Sequence, residues 1–508
     1  MTQGVFPFKI EEEKKKKNLT SLTGLLVYLE LFKALSLDIL IGKNLNIRNV
    51  QGWRDTRVII SLILLNIAGG SSVSDIDRLE NDEGFCRILR GLDLHGKMGR
   101  RKERIQSYWR NKMRNTVPSP SSIFRYLANF HNAQEEEKRV EGKAFIPLPN
   151  DNLIKFSRIN SGILKFVQRI NPQSLATLDI DATIVATNKQ SALYTYKGGK
   201  GYQPLNVWLS EQEMVLYTEF RDGNVPAGHE ILRVLKESLC YLPEGVKEVY
   251  LRSDSAAYQH ELLKYCDNGE NERYRRIRFA IGSDISEPFK NAVLSDKELE
   301  WKAIYKITAE NKEKKEIGQE WAEVCFVPNN ISRSKKGCEY RYIAIREELK
   351  QRTLPGMEGS VPLPFPTLKM GTKRYKLTAL VTNLDWDGEE IIHWYRKRAG
   401  KSEEAHSIMK EDLAGGQFPS NDFGENAAWW WIMILALNVN SIMKQYVLDK
   451  SWKTKRMKAI RYNIIHIAGR VISKGKEIII KIANGHPFFE LLLMARQRIM
   501  EIACLAPG

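Results

Sequence analysis

The sequence predicts a mixed α/β protein in which a central sheet lies between helical regions at both ends of the chain. Segments 175–186, 205–209 and 214–220 have the apolar and alternating patterns of strands. A helical segment at 231–241 and a further strand at 246–252 follow. Strands interrupted by a helix in this way indicate a mixed sheet with helices on both faces.

Amino-acid composition and the spacing of apolar residues predict several distinct regions along the chain. Apolar residues recur with helical spacing near the N-terminus, and a basic stretch follows them. Strand-like segments and a loop rich in proline and glycine indicate a β-rich insertion before a helix that carries Glu403. The predicted divisions are a charged flexible arm (1–20), a helical domain (21–95), a basic helical DNA-binding or linker region (96–170), the first part of the α/β core (171–270), the β-rich insertion (271–385), the second part of the core (386–445) and a basic helical region (446–508).

The charge balance favours a polyanionic partner. Lysine and arginine number 78 against 61 acidic residues in a chain of 508, which gives a net charge of +17. This excess favours nucleic acid over a membrane surface, and the apolar runs are shorter than the roughly 18 residues of a spanning helix. Because no secretory signal is visible, we expect a cytoplasmic protein without a membrane partner. The cysteines form no Cys-x-x-Cys pair, which argues against a zinc ribbon or a disulfide framework.

Three acidic clusters indicate a metal site. Asp179 and Asp181 are two apart in a strand, so both side chains leave the same face, although Asp179 fits a neighbour of the site better than a ligand. Asp254 follows the end of a later strand, where ligands gather in open α/β sheets. Glu403 and Glu404 lie on a basic helical segment. Two Mg²⁺ or Mn²⁺ ions about 4 Å apart need oxygen ligands from separate segments, and they activate a water or hydroxyl for attack on phosphate.

Basic residues in two further segments are candidates for contact with DNA. Residues 117–130 begin with prolines and serines and continue as an amphipathic helix that carries Arg125. This pattern fits a DNA-docking helix and an ordinary capped surface helix equally well. Lys197 and Lys200 flank two glycines without the spacing of a nucleotide-binding loop, so we expect the glycines to let the backbone approach DNA. Asn224 is a possible accessory residue, in a sequence that is also typical of an Asp-Gly turn.

A set of motifs occurs in one order between about residues 120 and 480. They are Asp-Ile-Asp-Ala-Thr at 179–183, Tyr-Lys-Gly-Gly-Lys-Gly-Tyr-Gln-Pro-Leu at 196–205, Arg-Asp-Gly-Asn at 221–224, Arg-Ser-Asp-Ser at 252–255, Trp-Tyr at 394–395 through Lys-Glu-Asp-Leu at 410–413, and Asn-Ala-Ala-Trp at 426–429 with Asn438. In this set the chain resembles bacterial insertion-sequence transposases of the DDE class, particularly the group named after insertion sequence thirteen-eighty. The resemblance implies an RNase H-like catalytic core with a β-rich insertion ahead of the glutamate helix. By position it matches Asp181, Asp254 and Glu403 to the family's metal-binding triad.

The third acid stays open at the level of sequence. In the related Y-R-E-K signature three residues separate arginine from glutamate, whereas four separate Arg398 from Glu403 here, so Glu404 competes with it. We favour Glu403 because the seven positions to Lys410 correspond to two helical turns. In that arrangement we expect Tyr395, Arg398 and Lys410 to contact DNA. Acids in the first turn of a restarted helix are also ordinary capping residues.

These observations predict a DNA transposase that cleaves phosphodiester bonds at the ends of a transposable element and joins the freed 3′-hydroxyls to target DNA. The expected partners are double-stranded terminal inverted repeats and target DNA, and pairing two ends calls for a homodimer on DNA. In a bacterial cell the protein would associate with the nucleoid. Two alternatives stay open, a metal-dependent nuclease without strand transfer and a catalytically retired protein that only binds DNA.

Overall fold

A computed structural model describes residues 18–47, 52–94, 99, 100, 103, 105, 115–296, 298–307, 314–328, 340–350, 363–474 and 477–505. Most of the predicted charged arm and most of the basic stretch at 96–114 lie outside these residues. In the described part of the chain, no single helix is long and apolar enough to cross a membrane. One bent pair, Asp55–Ala68 with Val73–Asn81, meets that test by length and composition.

Helices occupy both ends of the chain and connect several strands. The α-helices are α1 (Leu25–Ala34), α2 (Leu37–Asn44), α3 (Asp55–Ala68), α4 (Ile76–Asn81), α5 (Glu83–Leu94), α6 (Pro120–Leu127), α7 (Ala133–Glu136), α8 (Asp151–Ile170), α9 (Ile231–Leu239), α10 (His260–Asp267), α11 (Glu287–Ser295), α12 (Gly388–Arg396), α13 (Lys401–Ser407), α14 (Phe423–Ile442), α15 (Met457–Ile460) and α16 (Phe489–Leu505). A π-helical turn, Ile408–Asp412, continues α13.

The strands form one large sheet and two small ones. They are β1 (Leu19–Thr20), β2 (Leu175–Ala182), β3 (Val185–Ala186), β4 (Leu193–Tyr194), β5 (Lys200–Tyr202), β6 (Leu205–Leu209), β7 (Met214–Glu219), β8 (Glu248–Ser253), β9 (Arg278–Ser283), β10 (Lys302–Ile307), β11 (Lys314–Val324), β12 (Arg341–Glu348), β13 (Thr367–Met370), β14 (Lys373–Thr382), β15 (Gly469–Lys474) and β16 (Glu477–Ile482). The large sheet has the order β10-β11-β12-β14-β9-β8-β2-β6-β7, with β13 paired to β14.

The large sheet is mixed, which confirms the predicted fold class at this level. β8 lies parallel to both β2 and β9, whereas β6 and β7 continue antiparallel from β2. On the other side, β14 pairs antiparallel with β9. The strands between residues 302 and 382 therefore extend the same sheet.

Apolar side chains cover both faces of this sheet. In β12, Tyr342 and Ala344 belong to the larger hydrophobic core, while Ile343 and Ile345 belong to a smaller one. Neighbouring residues of a strand point to opposite faces, so the two cores lie on opposite sides of the sheet. Ile391 of α12 packs in the smaller core, which places this helix against that face.

Helix α14 joins the helical region to the sheet. Its side chains are buried almost throughout, including Trp429 and Trp430, as is typical of a helix that is apolar on every side. Trp430 Nε1 donates to Thr218 Oγ1 at 2.9 Å, and Asn438 Nδ2 donates to the Val215 carbonyl at 2.8 Å, both on β7. The tryptophan run of α14 is therefore part of the buried core.

The prediction of a purely helical C-terminal region is wrong for residues 469–482. There β15 and β16 form an antiparallel hairpin, and β15 also pairs with β1 near the N-terminus. Both strands are rich in isoleucine and valine, whose branched side chains favour extended structure. The chain ends are thus joined in a three-stranded sheet.

Candidate active site

Two aspartates meet at one edge of the large sheet. β2 and β8 are parallel neighbours, and their register pairs Ile180 with Ser253. Asp181 follows Ile180 in the sequence, and Asp254 follows Ser253. Because the carboxyl ends of parallel strands meet at the same edge, the two carboxylates lie where α/β sheets bind ligands. Asp254 also begins a 3-10 turn, in which the Ala256 amide donates to its Oδ1 at 3.1 Å.

Asp179 is engaged in a buried ion pair. Arg252 Nε and Nη2 donate to its two carboxylate oxygens at 2.6 and 2.8 Å. Both side chains are buried. Arg252 also donates to Ser210 Oγ at 2.9 Å and to the Trp394 carbonyl at 2.7 Å. The pair therefore ties β2 to α12, and both Asp179 oxygens have a partner.

A single guanidinium lies between Asp181 and Asp254. Arg398 Nη2 is 3.4 Å from Oδ1 of Asp181 and 4.0 Å from Oδ2 of Asp254. Arg398 Nε is buried and has no hydrogen-bond partner among the described residues. Burial raises the pKa of Asp181 to about 6, an effect that the Arg398 charge opposes and the Asp254 charge increases. The two carboxylates form a partly buried anionic pair that attracts cations.

The chain bends at Gly400 before the helix that carries the predicted third acid. α12 ends at Arg396, and Gly400 has a φ of +84°, a conformation that favours glycine. Immediately after this bend, α13 begins. Ser402 is buried in its first turn, where its Oγ donates to the Arg398 carbonyl at 3.5 Å and its side chain lowers the pKa of the nearby Asp181. The bend thus brings the start of α13 against the end of β2.

Glu403 and Glu404 have different surroundings. Both side chains are exposed on α13. The Glu403 carboxylate has no hydrogen-bond or ion-pair partner in the part of the chain that the structure describes. The Glu404 charge acts on Lys444, where it opposes the lowering of the lysine pKa by burial. The two acids therefore lie on different sides of the helix, about 100° apart.

His406 and Lys410 follow Glu403 in the chain, and both contact residues near the end of β2. Asn206, the register partner of Asp181 on β6, has its Nδ2 3.5 Å from His406 Nε2. Burial, with nearby positive charge, lowers the pKa of His406 to about 4. Lys410 Nζ donates to the backbone carbonyl that lies two residues beyond β2, at 3.4 Å. His406 lies three residues after Glu403 on α13, whereas Lys410 belongs to the π-helical turn that continues this helix.

Tyr395 reaches the same edge of the sheet from α12. A Cβ atom added to Gly282 on β9 would lie 3.3 Å from the Tyr395 hydroxyl and 2.9 Å from the Ser255 amide nitrogen. Glycine at this position allows the tyrosine and the turn after Asp254 to pack closely. Burial raises the pKa of Tyr395, and the nearby positive charge of Arg398 opposes this rise.

The predicted metal-binding residues are not arranged as a closed three-ligand group. Asp181 and Asp254 share the Arg398 guanidinium. Their carboxylate oxygens and those of Glu403, however, do not all lie within 4.8 Å of one another. Asp181 and Asp254 offer the hard carboxylate oxygens that a divalent cation prefers, whereas the Glu403 carboxylate does not lie close enough to complete a group of three with them.

Three other described residues do bring their possible ligand atoms within 4.8 Å of one another. They are His131, Glu136 and Asp422. Glu136 accepts hydrogen bonds from the backbone amides of Phe423 and Gly424, at 2.8 and 3.0 Å, at the start of α14. A carboxylate in this position stabilises the N-terminus of a helix, which accounts for this cluster.

Lys197 and Lys200 belong to the small sheet β3-β5-β4 and its turns, which follow β2 in the chain. Lys197 lies in the turn between β4 and β5 and is exposed. Lys200 begins β5, and its Nζ donates to the Gln190 carbonyl at 2.7 Å.

Arg125 and Asn224 have local partners elsewhere. The predicted helix at Arg125 is present as α6, and the exposed Arg125 Nε donates to the Ser121 carbonyl at 3.2 Å. Asn224 Nδ2 donates to the carbonyls of Val140 and Lys143 at 3.2 and 3.0 Å. The Asn224 side chain thus secures a neighbouring loop.

Sequence reasoning missed the roles of three residues at this edge. They are Arg252, Ser402 and Asn206. Arg252 is set opposite Asp179 by the parallel register of β2 and β8, which the sequence alone does not show. The other two depend on how α13 packs on the sheet, which no local pattern reveals.

A family model for the transposase DDE domain, group 1, matches residues 3–504. The chain belongs to this transposase family. Membership in a DDE transposase family implies use of a divalent metal. No match was found among the curated proteins.

One solved structure similar to this DDE transposase is a piggyBac transposase synaptic complex with hairpin DNA, determined by cryo-EM. The TM-score is 0.38 and the sequence identity 12%, over 96% of this chain and 85% of that chain.

Proposed function

We propose that this transposase cleaves phosphodiester bonds at the ends of a transposable element and joins the freed 3′-hydroxyls to target DNA. In this proposal Asp181, Asp254 and Glu403 hold two Mg²⁺ or Mn²⁺ ions. The observation that carries it is the pair of aspartates on neighbouring parallel strands, both within 4.0 Å of one guanidinium. Two carboxylates that share a monovalent cation offer the hard oxygen ligands that a divalent ion prefers.

The strand order supports an RNase H-like core. β7, β6 and β2 form an antiparallel run, and β8 and β9 continue it with parallel pairing. The two aspartates leave this five-stranded unit from adjacent strands. Strands β10 to β14 lie between Asp254 and Glu403 in the chain, as the resemblance implies for an insertion ahead of the glutamate helix.

The residues around the aspartates suit phosphoryl transfer. Divalent ions held there would lower the pKa of an attacking water or 3′-hydroxyl and neutralise the leaving oxygen. Asp181, with a pKa of about 6, is largely ionised at neutral pH and accepts a cation. Arg398, once displaced, can contact a DNA phosphate. His406 is neutral at the same pH and adds no competing positive charge.

Glu403 is the preferred third ligand. It precedes His406 by three residues on α13, and His406 contacts Asn206, the register partner of Asp181. Its carboxylate has no competing partner in the described chain, whereas the charge of Glu404 acts on Lys444. Neighbouring positions on a helix point about 100° apart, so Glu403 and Glu404 do not face the aspartates in the same way.

A plasmid excision assay with Glu403→Gln and Glu404→Gln at matched expression tests this assignment. We expect Glu403→Gln to lose excision and Glu404→Gln to keep most of it, because the amide retains the shape of the side chain without its charge. The reverse result would identify Glu404 as the ligand.

Asp181→Asn and Asp254→Asn test the other two ligands. Each should abolish cleavage of end DNA and leave DNA binding largely intact, measured by gel shift in EDTA. Cleavage at the wild-type rate by either variant would exclude that residue from the site.

The proposed substrate is double-stranded DNA that carries terminal inverted repeats, bound by a homodimer at the nucleoid of a bacterial host. The net charge of +17 supports a nucleic-acid partner. The ordered motifs support an insertion sequence of the thirteen-eighty group, related to the Y-R-E-K transposases. Joined donor and target DNA among the products would distinguish a transposase from a nuclease without strand transfer, and any cleavage would exclude a retired DNA-binding protein.

A further inference from the structure

Two exposed tyrosines stand beside lysines on one hairpin. The tyrosine hairpin, residues 193–202, consists of β4, β5 and the turn between them. Tyr194 is 54% exposed and Tyr196 is 77% exposed. Lys197 Nζ lies 5.8 Å from the ring centre of Tyr196, and Lys200 Nζ lies 5.7 Å from that of Tyr194. Large aromatic rings left in solvent next to cations are typical of surfaces that bind a partner.

The base of the tyrosine hairpin is fixed to the rest of the protein. Arg139 forms a buried bidentate ion pair with Asp222, at 2.6 and 2.7 Å, and donates to the Ser191 carbonyl at 2.8 Å. A Cβ atom on Gly223 would lie 2.6 Å from the Gly201 carbonyl oxygen, so the two segments are in close contact. An exposed tip on a fixed base presents its rings with little loss of conformational entropy on binding.

The tyrosine hairpin is directly connected to the acidic edge. β3, which pairs with β5, begins at Val185, shortly after Asp181. Lys410 Nζ contacts the carbonyl of Ile184 in the connecting segment. At the tip, Gly198 has a φ of +89°, and a Cβ atom added there would meet nothing within 4 Å. The turn is therefore open at Gly198, two residues after the exposed Tyr196.

We propose that the tyrosine hairpin binds an unpaired nucleobase next to the cleavage site, with the base stacked on Tyr196 and its flanking phosphates near Lys197 and Lys200. This inference rests on the proposed function and adds a subsite to it. A paired base is already stacked inside the duplex, whereas an unpaired base offers its face to an aromatic ring. Lysines beside the rings supply the charge that the backbone of a single strand requires.

Fluorescence anisotropy with the full chain in EDTA tests the proposal. The probes are a duplex and the same duplex with a single-stranded overhang. We expect Tyr196→Ala to weaken binding of the overhang probe by roughly 5- to 150-fold, the loss typical of one base–aromatic stack, and to leave duplex binding unchanged. Tyr196→Phe, which keeps the ring, should bind the overhang like the wild type. A 2-aminopurine in the overhang should be quenched by the wild type and by Tyr196→Phe, but not by Tyr196→Ala.

Tyr462→Ala is the matched control, because Tyr462 is 82% exposed and lies outside the hairpin. It should bind both probes like the wild type. Equal losses on both probes for Tyr196→Ala, or no loss on either, would overturn the stacking proposal while DNA binding by the wild type still stands. Failure of the wild type to bind either probe would instead overturn the proposed function itself.

Discussion

At the scale of single residues, Arg398 occupies the position that the proposed metal ions would take between Asp181 and Asp254. Its guanidinium Nη2 is 3.4 and 4.0 Å from the two carboxylates. A positive charge at these distances stabilises the carboxylates. If the proposed site binds a divalent ion, that ion would compete with Arg398 for the same two carboxylates.

We predict that Arg398→Gln binds Mn²⁺ more tightly than the wild type in the absence of DNA. Loss of a competing charge worth roughly 1 kcal/mol corresponds to an affinity gain of about fivefold. Isothermal titration calorimetry measures this gain, and Arg456→Gln, which removes a partner of Asp412 instead, serves as the control. Weaker Mn²⁺ binding by Arg398→Gln would contradict the competition.

The shifted pKa values of His406 and Asp181 change the stability of the folded protein in opposite directions as the pH falls. Because burial lowers the pKa of His406 to about 4, the unfolded chain binds a proton between pH 6.5 and 4 that the folded chain does not. Its contribution to stability is complete above pH 6.5 and is lost as the pH falls. The pKa of Asp181 is raised to about 6, so its folded carboxyl binds a proton before the unfolded one does. Protonation of Asp181 as the pH falls through 6 therefore stabilises the folded protein.

We predict opposite shifts for two variants when metal-free protein is moved from pH 7 to pH 5. Relative to the double variant, Asp181→Asn should lose about 2 kcal/mol of unfolding free energy, because it keeps the His406 contribution. Relative to the same double variant, His406→Gln should gain about 1 kcal/mol, because it keeps the Asp181 contribution. Urea unfolding at the two pH values measures all three variants, and the double variant gives the pH dependence of the remaining groups. Identical pH dependence in His406→Gln and the wild type would refute the histidine assignment.

At the scale of secondary-structure elements, the bend at Gly400 sets the direction of α13. We predict that Gly400→Ala lowers stability by about 1–2 kcal/mol, the cost of a positive φ for an L-residue, and reduces DNA cleavage. Gly371→Ala is the matched control, because Gly371 also has a positive φ and free space around it but lies in the turn between β13 and β14. Thermal unfolding should show similar losses for both variants, whereas cleavage should fall only for Gly400→Ala. Equal cleavage by the two would show that the bend does not position Glu403.

Elements with a strong local pattern could be predicted from the sequence. β6 coincides with the predicted strand at 205–209, and β7 differs from its prediction by one residue. The hairpin β15–β16 was missed because its short apolar runs fit a helix as well as a strand. The pairing of β9 with β14 was also beyond local reasoning, since the two strands are far apart in the chain.

The candidate site was predictable in part for the same reason. That Asp181 and Asp254 face one edge follows from strand endings, which are local features. The ion pair of Asp179 with Arg252 and the position of Arg398 depend on how separate elements pack. Only the folded structure reveals that Asp179 is already paired and that a guanidinium lies between the other two aspartates.

At the scale of the whole molecule, polar contacts of α14 connect the N-terminal helices to the sheet. Tyr28 of α1 donates to Asn440 Oδ1 at 2.9 Å, and Asn438 donates to Asn160 Oδ1 of α8 at 2.7 Å and to β7. These buried groups each have a partner, so packing of the helical region and of the sheet is cooperative. The acidic edge therefore rests on a rigid support.

The net charge of +17 gives the last prediction. If lysines and arginines neutralise DNA phosphates, the affinity should fall with salt at a log–log slope of about −0.9 per contacted phosphate. Lys197→Gln should reduce the magnitude of this slope by about 0.9, because one such contact is lost. Lys373→Gln, which removes the same charge from a lysine paired with Glu348, should leave the slope unchanged. Anisotropy titrations between low and moderate salt measure the slope, and a flat salt response of the wild type would contradict a nucleic-acid partner altogether.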